Sequence, residues 1–162
     1  MFSIRIAIIE DIELIQALAR EIWITHYTGI LSADQIEYML NLMYSENTVR
    51  EEIKNGVLWQ LITLDEIPKG FLSLTTSVNK LKLNKLYLLP GYHGHGFGQM
   101  ALAHVVDYAE SHNISEIHLT VNKKNYKAIK AYEKAGFTKS GSQVTDIGNG
   151  YVMDDFKYSR FL

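Results

Sequence analysis

The chain has 162 residues, no cysteine and a formal net charge of −2 at pH 7. This length fits one domain, residues 1–162, and a hydrophobic content of 47% is ample for its core. The lack of cysteine excludes disulfides, thiolate metal sites and a cysteine nucleophile. Because no stripe of Lys or Arg is visible, we expect no nucleic-acid partner. Because no apolar run of transmembrane length and no export leader is visible, we expect a cytoplasmic protein without a membrane partner.

The first half of the sequence predicts one strand, three helices and three antiparallel strands. Asp11 stands where it can cap the first helix, and Ser32 with Gln35 forms a capping box before the second. Residues 65–68 and 79–80 form turns between the later strands. The predicted elements are strand 2–8, a helix carrying Leu14 to Ile22, a helix carrying Ile36 to Met43, helix 46–54, and strands 57–64, 70–78 and 81–89.

The second half predicts a strand, helix, strand order that the first half lacks. A glycine-rich turn follows strand 81–89 and leads into a helix that runs from Gln99 to about His112. Such an order implies one parallel pair inside a largely antiparallel sheet. The remaining predicted elements are strand 116–121, a helix that begins at Asn125, and strands 138–144 and 151–161 around the turn at 148–150.

The glycine-rich turn predicts a binding site for an anionic cofactor. Gly94, Gly96 and Gly98 allow positive φ and bring bare N–H groups close to a ligand. The helix that begins near Gln99 adds unpaired donors and the positive end of its dipole. A turn whose glycines serve only tight geometry is the structural alternative.

Two common phosphate-binding motifs fit this turn poorly. A kinase or ATPase loop needs Lys and then Ser or Thr after its last glycine, but Gln99 and Met100 follow Gly98. The dinucleotide pattern is satisfied by Gly96, Gly98 and Ala101. However, the next strand lacks the acidic residue at its end that this pattern requires.

A second motif lies on the helix that follows strand 116–121. Asn125 can cap its start, and Gly136 can end it in the left-handed conformation. Asn125 and Tyr132 lie seven positions apart on nearly one face, with the small Ala128 between them, so a slim ligand could lie along that face. Taken alone, a tyrosine such as Tyr132 is more often a half-buried packing residue, and an asparagine such as Asn125 is more often only a cap.

Together the two segments resemble the GCN5-related N-acetyltransferases. The acetyl-CoA loop of that family reads Arg or Gln-x-x-Gly-x-Gly or Ala, and its later helix reads Asn-x-x-Ala-x-x-x-Tyr-x-x-x-Gly-Phe. The loop stands here at residues 93–98, and the helix motif matches at Asn125, Ala128, Tyr132, Gly136 and Phe137. The resemblance extends more loosely over nearly the whole chain, and within the family it is closest to bacterial enzymes that acetylate polyamines. It implies an α+β fold with a mixed, mostly antiparallel sheet, one central parallel pair, and helices on both faces.

The resemblance implies acetyl-CoA as co-substrate, with the pantetheine arm between two splayed strands. The N–H of Leu88 would hold the oxyanion. Tyr132 would protonate the leaving thiolate, since a tyrosine pKa of about 10 exceeds the roughly 8.5 of a thiol. No metal is expected, because two histidines in one turn lack a third ligand nearby. The implied cofactor-binding residues are Leu86, Leu88, His93, Gly94, His95, Gly96, Phe97, Gly98, Gln99, Asn125, Tyr132 and Lys134.

The general base is left open by the sequence. Many family members carry a carboxylate on the strand before the loop, whereas residues 82–85 here read Lys-Leu-Asn-Lys. His118, His26 and a base acting through water are the alternatives, since a lone histidine is more often structural or exposed than catalytic.

The expected partners are acetyl-CoA and a small amine acceptor, with polyamines the favoured class. Glu21, Asp34 or Asp154 could attract the distal ammonium of a polyamine. A protein N-terminus or lysine is the alternative acceptor, a non-catalytic acyl-CoA sensor is the alternative function, and a homodimer is compatible with either. Four residues are candidate pocket walls, although their helical spacing also fits core packing: Trp23, Tyr27, Tyr38 and Met39.

Overall fold

A seven-stranded sheet organises the whole chain in the computed structural model, which describes residues 1–162. Two short 3₁₀ turns, at Ile9–Asp11 and Pro90–Tyr92, lie outside the main elements. Those elements are β1 (Phe2–Ile6), α1 (Ile12–Tyr27), α2 (Ala33–Tyr44), α3 (Glu46–Lys54), β2 (Leu58–Leu64), β3 (Ile67–Ser77), β4 (Lys80–Leu88), α4 (Phe97–Ser111), β5 (Glu116–Asn122), α5 (Tyr126–Lys134), β6 (Thr138–Gly148) and β7 (Tyr151–Phe161).

The strand order is β1-β2-β3-β4-β5-β7-β6, and only the β4–β5 pair is parallel. Two apolar clusters lie on opposite faces of this sheet. One packs α1, α2 and α3 against β2 and β3, and the other packs α4 and the strand centres together, with α5 against its edge. The predicted α+β class, the single central parallel pair and the helices on both faces are confirmed. No helix is both long enough and apolar enough to cross a membrane.

A β-bulge in β4 determines how its second half faces the neighbouring strands. Ser73 of β3 pairs with Lys85, and Leu74 pairs with Leu83, so Asn84 is the extra residue. The bulge shifts the side-chain alternation by one position. Leu81 and Leu83 therefore face the α4–α5 side before the bulge, and Leu86 and Leu88 face it afterwards.

The same strand separates from its parallel neighbour. β4 pairs with β5 only where residues 80–82 face residues 116–118. Beyond this short ladder the two strands diverge, as the family resemblance implied, and the second half of β4 has a free edge. This gap is the structural basis of the site.

Two predicted helix caps differ in detail. The carboxylate of Asp11 accepts bonds from the Arg5 guanidinium and from the Ile8 N–H, each at 2.9 Å, and does not cap α1. Ser32 Oγ accepts the predicted bond from the Gln35 N–H at 3.1 Å. The Gln35 side chain, however, donates to the Val152 carbonyl at 3.1 Å and so completes no capping box.

Two strands are longer than predicted because their turns are tighter. Asp65 and Glu66 alone make the turn before β3, with φ of 49° and 68°, so the strand already begins at Ile67 and includes Pro68. Asn149 and Gly150, with φ of 54° and 79°, make a two-residue turn that extends β6 to Gly148.

Candidate active site

The glycine turn ends in a helix that begins two residues earlier than predicted. Gly96 is the N-cap of α4 with a φ of +81°, and the first bond of the helix runs from the Met100 N–H to the Gly96 carbonyl at 3.0 Å. The N–H groups of Phe97, Gly98 and Gln99 therefore have no acceptor within the helix. A cluster of free donors at the positive end of a helix dipole favours an anion.

Open space around the turn helps to decide whether its glycines bind a ligand or serve only tight geometry. A Cβ atom built at Gly94, Gly96 or Gly98 would meet no atom within 4 Å. Gly94 and Gly96 have positive φ, but Gly98 is helical, so neither packing nor backbone conformation requires glycine at that position. The open space at Gly98 is consistent with close approach of a ligand to the backbone.

Unpaired backbone groups line the free edge of β4. The Leu89 N–H donates to the Lys69 carbonyl of β3 at 2.8 Å. Because consecutive residues of a strand direct their backbone groups to opposite sides, the N–H groups of Leu88 and Leu86 face the β5 side, where the gap lies. His93 Nε2 lies 3.0 Å from the Leu88 carbonyl, which fixes the loop against the end of the strand.

A cavity of about 280 Å³ passes through the gap and reaches both faces of the sheet. Seven of the predicted cofactor-binding residues line it: Leu86, Leu88, His93, Gly94, Gly98, Asn125 and Tyr132.

The other five lie beside the cavity rather than on its wall. The Phe97 ring stacks on Phe2 with 6.0 Å between centroids, and the Gln99 amide donates to the Ala131 carbonyl at 3.0 Å, which joins α4 to α5. His95 and Lys134 are exposed, and Gly96 contributes its backbone as the N-cap. Cofactor binding stays a prediction for these five residues and for the seven that line the cavity.

The end of α5 explains the Tyr-x-x-x-Gly-Phe spacing. Gly136 has a φ of +90° and donates to the Glu133 carbonyl at 3.1 Å, and the Phe137 N–H donates to the Tyr132 carbonyl at 3.0 Å. The rings of Phe137 and Tyr132 are in edge contact, with 5.9 Å between centroids. This is a Schellman motif with its hydrophobic contact. It fixes the Tyr132 side chain in the cavity wall.

Three tyrosines meet in the cavity. The hydroxyls of Tyr27 and Tyr87 lie 3.0 Å apart, and Tyr132 lines the same wall. Burial raises the pKa of all three above the ordinary tyrosine value. Tyr132 is therefore neutral at physiological pH, which is the state a proton donor requires.

Asn125 does more than cap α5. Its Oδ1 accepts from the Ala128 N–H at 3.3 Å, as predicted, and lies 3.0 Å from His26 Nε2 on α1. The amide oxygen can only accept, so Nε2 carries the proton in this tautomer. Burial lowers the pKa of His26 and keeps the ring neutral. The sequence analysis missed this contact, which spans 99 positions.

The α1–α2 side of the cavity has aromatic and apolar walls. Trp23, Tyr27 and Met39 line it, as proposed, although all three also belong to the buried core. Tyr38 does not line it, because its hydroxyl donates to the Ile147 carbonyl at 2.6 Å. His118, one of the two candidate bases, lies outside the cavity beside Lys82, where β4 and β5 are still paired.

Asp155 of β7 was overlooked in the sequence. It is the one carboxylate in the cavity wall, it is 2% exposed, and its Oδ1 has no hydrogen-bond partner. Burial, and next the charge of Asp154, raise its pKa to about 6. A possible signal was the strand pattern, because Phe156 and Tyr158 pack on one face and leave Met153 and Asp155 on the other.

The model of the acetyltransferase (GNAT) family matches residues 16–137. The spermidine N(1)-acetyltransferase of Thermoplasma acidophilum is 30% identical over 150 residues, which are 90% of this chain and 93% of that protein. The crystal structure of the PaiA N-acetyltransferase of Thermoplasma acidophilum in complex with coenzyme A is similar with a TM-score of 0.87 and 29% identity, over 100% of this chain and 99% of that one.

The chain belongs to the GNAT family. It is an acetyl-CoA-dependent N-acetyltransferase, as the two sequence motifs implied. The ribosomal-protein-S18-alanine N-acetyltransferase of Escherichia coli shares the fold, with a TM-score of 0.76 at 17% identity over 99% of this chain and 94% of that one.

The groups of this GNAT enzyme fit its co-substrate. Phosphates need donors, and the first turn of α4 offers free N–H groups beside open space at Gly98. An amide-containing arm needs an unpaired strand edge, and Leu86 and Leu88 offer one. The free donors and the open edge lie along one cavity.

On the acceptor side of this GNAT enzyme, the three carboxylates that the sequence offered as attractors of a polyamine lie outside the cavity wall. Glu21, Asp34 and Asp154 are exposed and do not line the cavity. Asp154 forms an ion pair with Lys123 at 2.9 Å, because the strand alternation directs it away from Asp155. A distal ammonium would therefore meet none of these three carboxylates inside the cavity.

Proposed function

We propose that this enzyme transfers the acetyl group of acetyl-CoA directly to a primary amine of a small molecule, and that polyamines are the favoured class. The observation that carries the proposal is the β4–β5 gap, which opens on the α1–α2 face into aromatic and apolar walls with one buried carboxylate. The spermidine N(1)-acetyltransferase that is 30% identical supports the choice of acceptor class.

The residues on the cofactor side divide three tasks. The N–H groups at the start of α4 bind phosphate, and the free edge of β4 holds the pantetheine arm. The N–H of Leu88 donates to the oxyanion that develops when an amine attacks, and Tyr132 gives its proton to the departing sulfur. Bound acetyl-CoA supplies the activated thioester. No covalent acetyl-enzyme is needed, in keeping with a chain that has no cysteine.

The acceptor side favours a small molecule over a polypeptide. Two hydrogen bonds join α2 to the β6–β7 hairpin across this side, from the Gln35 amide to the Val152 carbonyl at 3.1 Å and from the Tyr38 hydroxyl to the Ile147 carbonyl at 2.6 Å. The rings of Tyr38 and Tyr151 add a contact with 5.2 Å between centroids. An extended peptide would have to break this closure, whereas a slim amine would not.

The charges around the acceptor side suit an alkyl ammonium. Trp23, Met39 and Met43 offer apolar surface to methylene groups, and Asp155 offers a negative charge. The nearby cation of Lys85 lies over the Trp59 ring, 5.1 Å from its centroid, and is attracted by Glu52. Burial lowers the pKa of Lys85, and the carboxylate of Glu52 offsets part of its positive charge, so Lys85 repels the acceptor less than a free lysine would.

Release of free thiol, followed with dithionitrobenzoate, tests the proposal. Acetyl-CoA would be incubated with the enzyme and one of four acceptors: spermidine, propylamine, a peptide with a free N-terminus, or an N-terminally acetylated peptide with a free lysine side chain. The enzyme adds no thiol background because it has no cysteine. We expect the fastest release with the small amines. Turnover only with peptides would contradict the acceptor class, and binding of acetyl-CoA without turnover on any amine would indicate an acyl-CoA sensor.

A further inference from the structure

A buried carboxylate without a partner lies on the acceptor side of the gap. Asp155 belongs to β7, where it faces Asn122 of β5 and Gln143 of β6. It is 2% exposed, and its Oδ1 makes no hydrogen bond. A buried charge normally has a partner, because desolvation without one is costly. The missing partner of Asp155 is therefore expected to be a ligand.

The side chain faces the part of the molecule where the acceptor would bind. Alternation along β7 places Asp155 with Met153 on the α1–α2 face, and the bulge at Asn84 places Lys85 and Tyr87 of β4 on that same face. Asp155 lines the main cavity and also an adjoining one of about 300 Å³. A ligand would therefore reach Asp155 from the α1–α2 face of the sheet, opposite the face that carries the Leu86 and Leu88 side chains.

The other candidate bases are less suitable. The β4 segment before the loop has no carboxylate, and His118 lies outside the cavity. His26 Nε2 is held by Asn125, which leaves only Nδ1 free. Asp154 is paired with Lys123 on the other face.

We propose that Asp155 is the general base, which takes a proton from the ammonium group of the acceptor. The inference rests on the proposed acetyl transfer to a small amine. In this role Asp155 replaces the carboxylate that β4 lacks, from a strand on the other side of the gap.

The proton balance of the step is as follows. The acceptor R–NH₃⁺ gives one proton to the Asp155 carboxylate and becomes R–NH₂, and its nitrogen lone pair forms the C–N bond with the thioester carbonyl. The C–S bond breaks, and the sulfur takes the proton of Tyr132. The nitrogen releases its second proton as the amide forms, and that proton restores Tyr132 through water. Asp155 returns its proton to solvent, so one proton is released per acetyl group transferred.

The charges near Asp155 are consistent with this role. Burial raises its pKa to about 6, so it is ionised at neutral pH and closer in pKa to an ammonium than an exposed carboxylate is. Several titratable or charged groups act on it or line the same cavities: Asp154, Lys123, Lys82, Lys85, Glu52, Tyr27, Tyr87, Tyr132, His26, His93 and Lys127.

The test compares D155N with D154N, a matched control for the neighbouring, outward-facing carboxylate. We would measure kcat and KM from pH 5 to pH 9 for four proteins: D155N, D154N, H26Q and the native enzyme. The acceptor would be the amine that reacts fastest in the thiol assay. We expect D155N to lower kcat at pH 8 by about 10²–10⁴-fold, the usual contribution of a general base. D154N should keep kcat within about twofold of the native value at pH 8, where Asp155 is ionised with or without the charge of Asp154.

The pH profile separates a base from a structural role. In the native enzyme kcat/KM should rise with increasing pH, with a midpoint near pH 6. This ascending limb of the pH profile should persist in H26Q and should be lost in D155N. Thermal unfolding and calorimetry with coenzyme A verify that D155N is folded and binds the cofactor. D155E and D155S are measured in the same way, so the inference does not depend on one variant.

Three results would overturn this role of Asp155. Unchanged kcat in folded D155N would exclude it as the base. A rise in KM alone would make it an anchor for a distal ammonium. Loss of the pH 6 limb in H26Q instead of D155N would transfer the role to His26. In each case acetyl transfer by the native enzyme would persist, whereas absence of transfer to any amine would contradict the proposed function itself.

Discussion

The two sides of the β4–β5 gap differ in how the chain encodes them. The cofactor side comes from two short segments, residues 86–98 and 125–137, in which each motif residue lies close in sequence to its neighbours. The acceptor side comes from α1, α2, the centre of β4 and β7, which are joined only by the fold. We therefore expect local motifs to specify how acetyl-CoA is held, and tertiary packing to specify which acceptor is acetylated.

The largest expected effect concerns the cofactor side alone. G98V should weaken coenzyme A binding by more than about 100-fold, because the side chain would fill the space that a phosphate needs. G98A should weaken it less and should raise the free energy of unfolding by about 0.4–1 kcal/mol, since Gly98 is helical. Calorimetry and thermal unfolding measure the two effects.

G91A is the matched control, because Gly91 also has open space and no positive φ but lies outside the cavity wall. It should bind coenzyme A like the native enzyme. Equal affinity for G98V and the native enzyme would mean that the turn does not bind the cofactor.

Next in size is the effect of removing the proton donor. Y132F keeps the ring that contacts Phe137 but lacks the hydroxyl, so kcat should fall by roughly ten- to a thousandfold while acetyl-CoA still binds. The fall should be smaller at low pH, where solvent can protonate the thiolate. Y126F, an exposed position of the same helix, should leave kcat unchanged. If chemistry limits the rate and Y132F is as fast as the native enzyme, Tyr132 is only a packing residue.

Asn125 caps α5 on the cofactor side and contacts His26 of α1 on the acceptor side. Two substitutions should separate these two roles. N125A loses the α5 cap and the bond to His26, and should lower the free energy of unfolding by about 1–2 kcal/mol. N125D keeps an acceptor oxygen for both hydrogen bonds and adds a negative charge that raises the pKa of His26. Denaturant unfolding and an NMR titration of His26 measure these changes. An unaltered His26 titration in N125D would show that the contact is absent in solution.

The smallest expected effect is that of salt. Because Asp155 is buried and Glu21, Asp34 and Asp154 do not line the cavity, little of the attraction for a cationic amine should be screened. The KM for spermidine should change by less than about threefold between 50 and 500 mM salt. A steep rise would show that exposed carboxylates bind the distal ammonium, as the sequence alone had suggested.

Much of the fold could be predicted from the sequence because its signals are local. Helix α3 and strand β7 were predicted at their observed bounds, and the helix, strand and turn order was right throughout. The end of α5 was predicted because its Schellman motif uses residues only five positions apart. The start of α4 was misplaced by two residues, because Gly98 is a weak helix former that nevertheless lies in the first turn of this helix.

The acceptor side was harder to predict for physical reasons. The role of Asp155 depends on which face of β7 is buried and on what covers that face, and neither is a local property. The bulge at Asn84 left a trace, since Leu81, Leu83, Leu86 and Leu88 change from odd to even positions. That change of parity is visible in the sequence, but the contact between His26 and Asn125 has no such trace.

Amide hydrogen exchange along β4 tests most directly the claim that the free strand edge holds acetyl-CoA. The N–H groups of Leu86 and Leu88 face the gap, while those of Tyr87 and Leu89 face β3. Saturating acetyl-CoA, without an acceptor amine, should slow exchange at Leu86 and Leu88 by at least about tenfold and change Tyr87 and Leu89 much less. Unchanged exchange at Leu86 and Leu88 in the presence of bound acetyl-CoA would contradict the account.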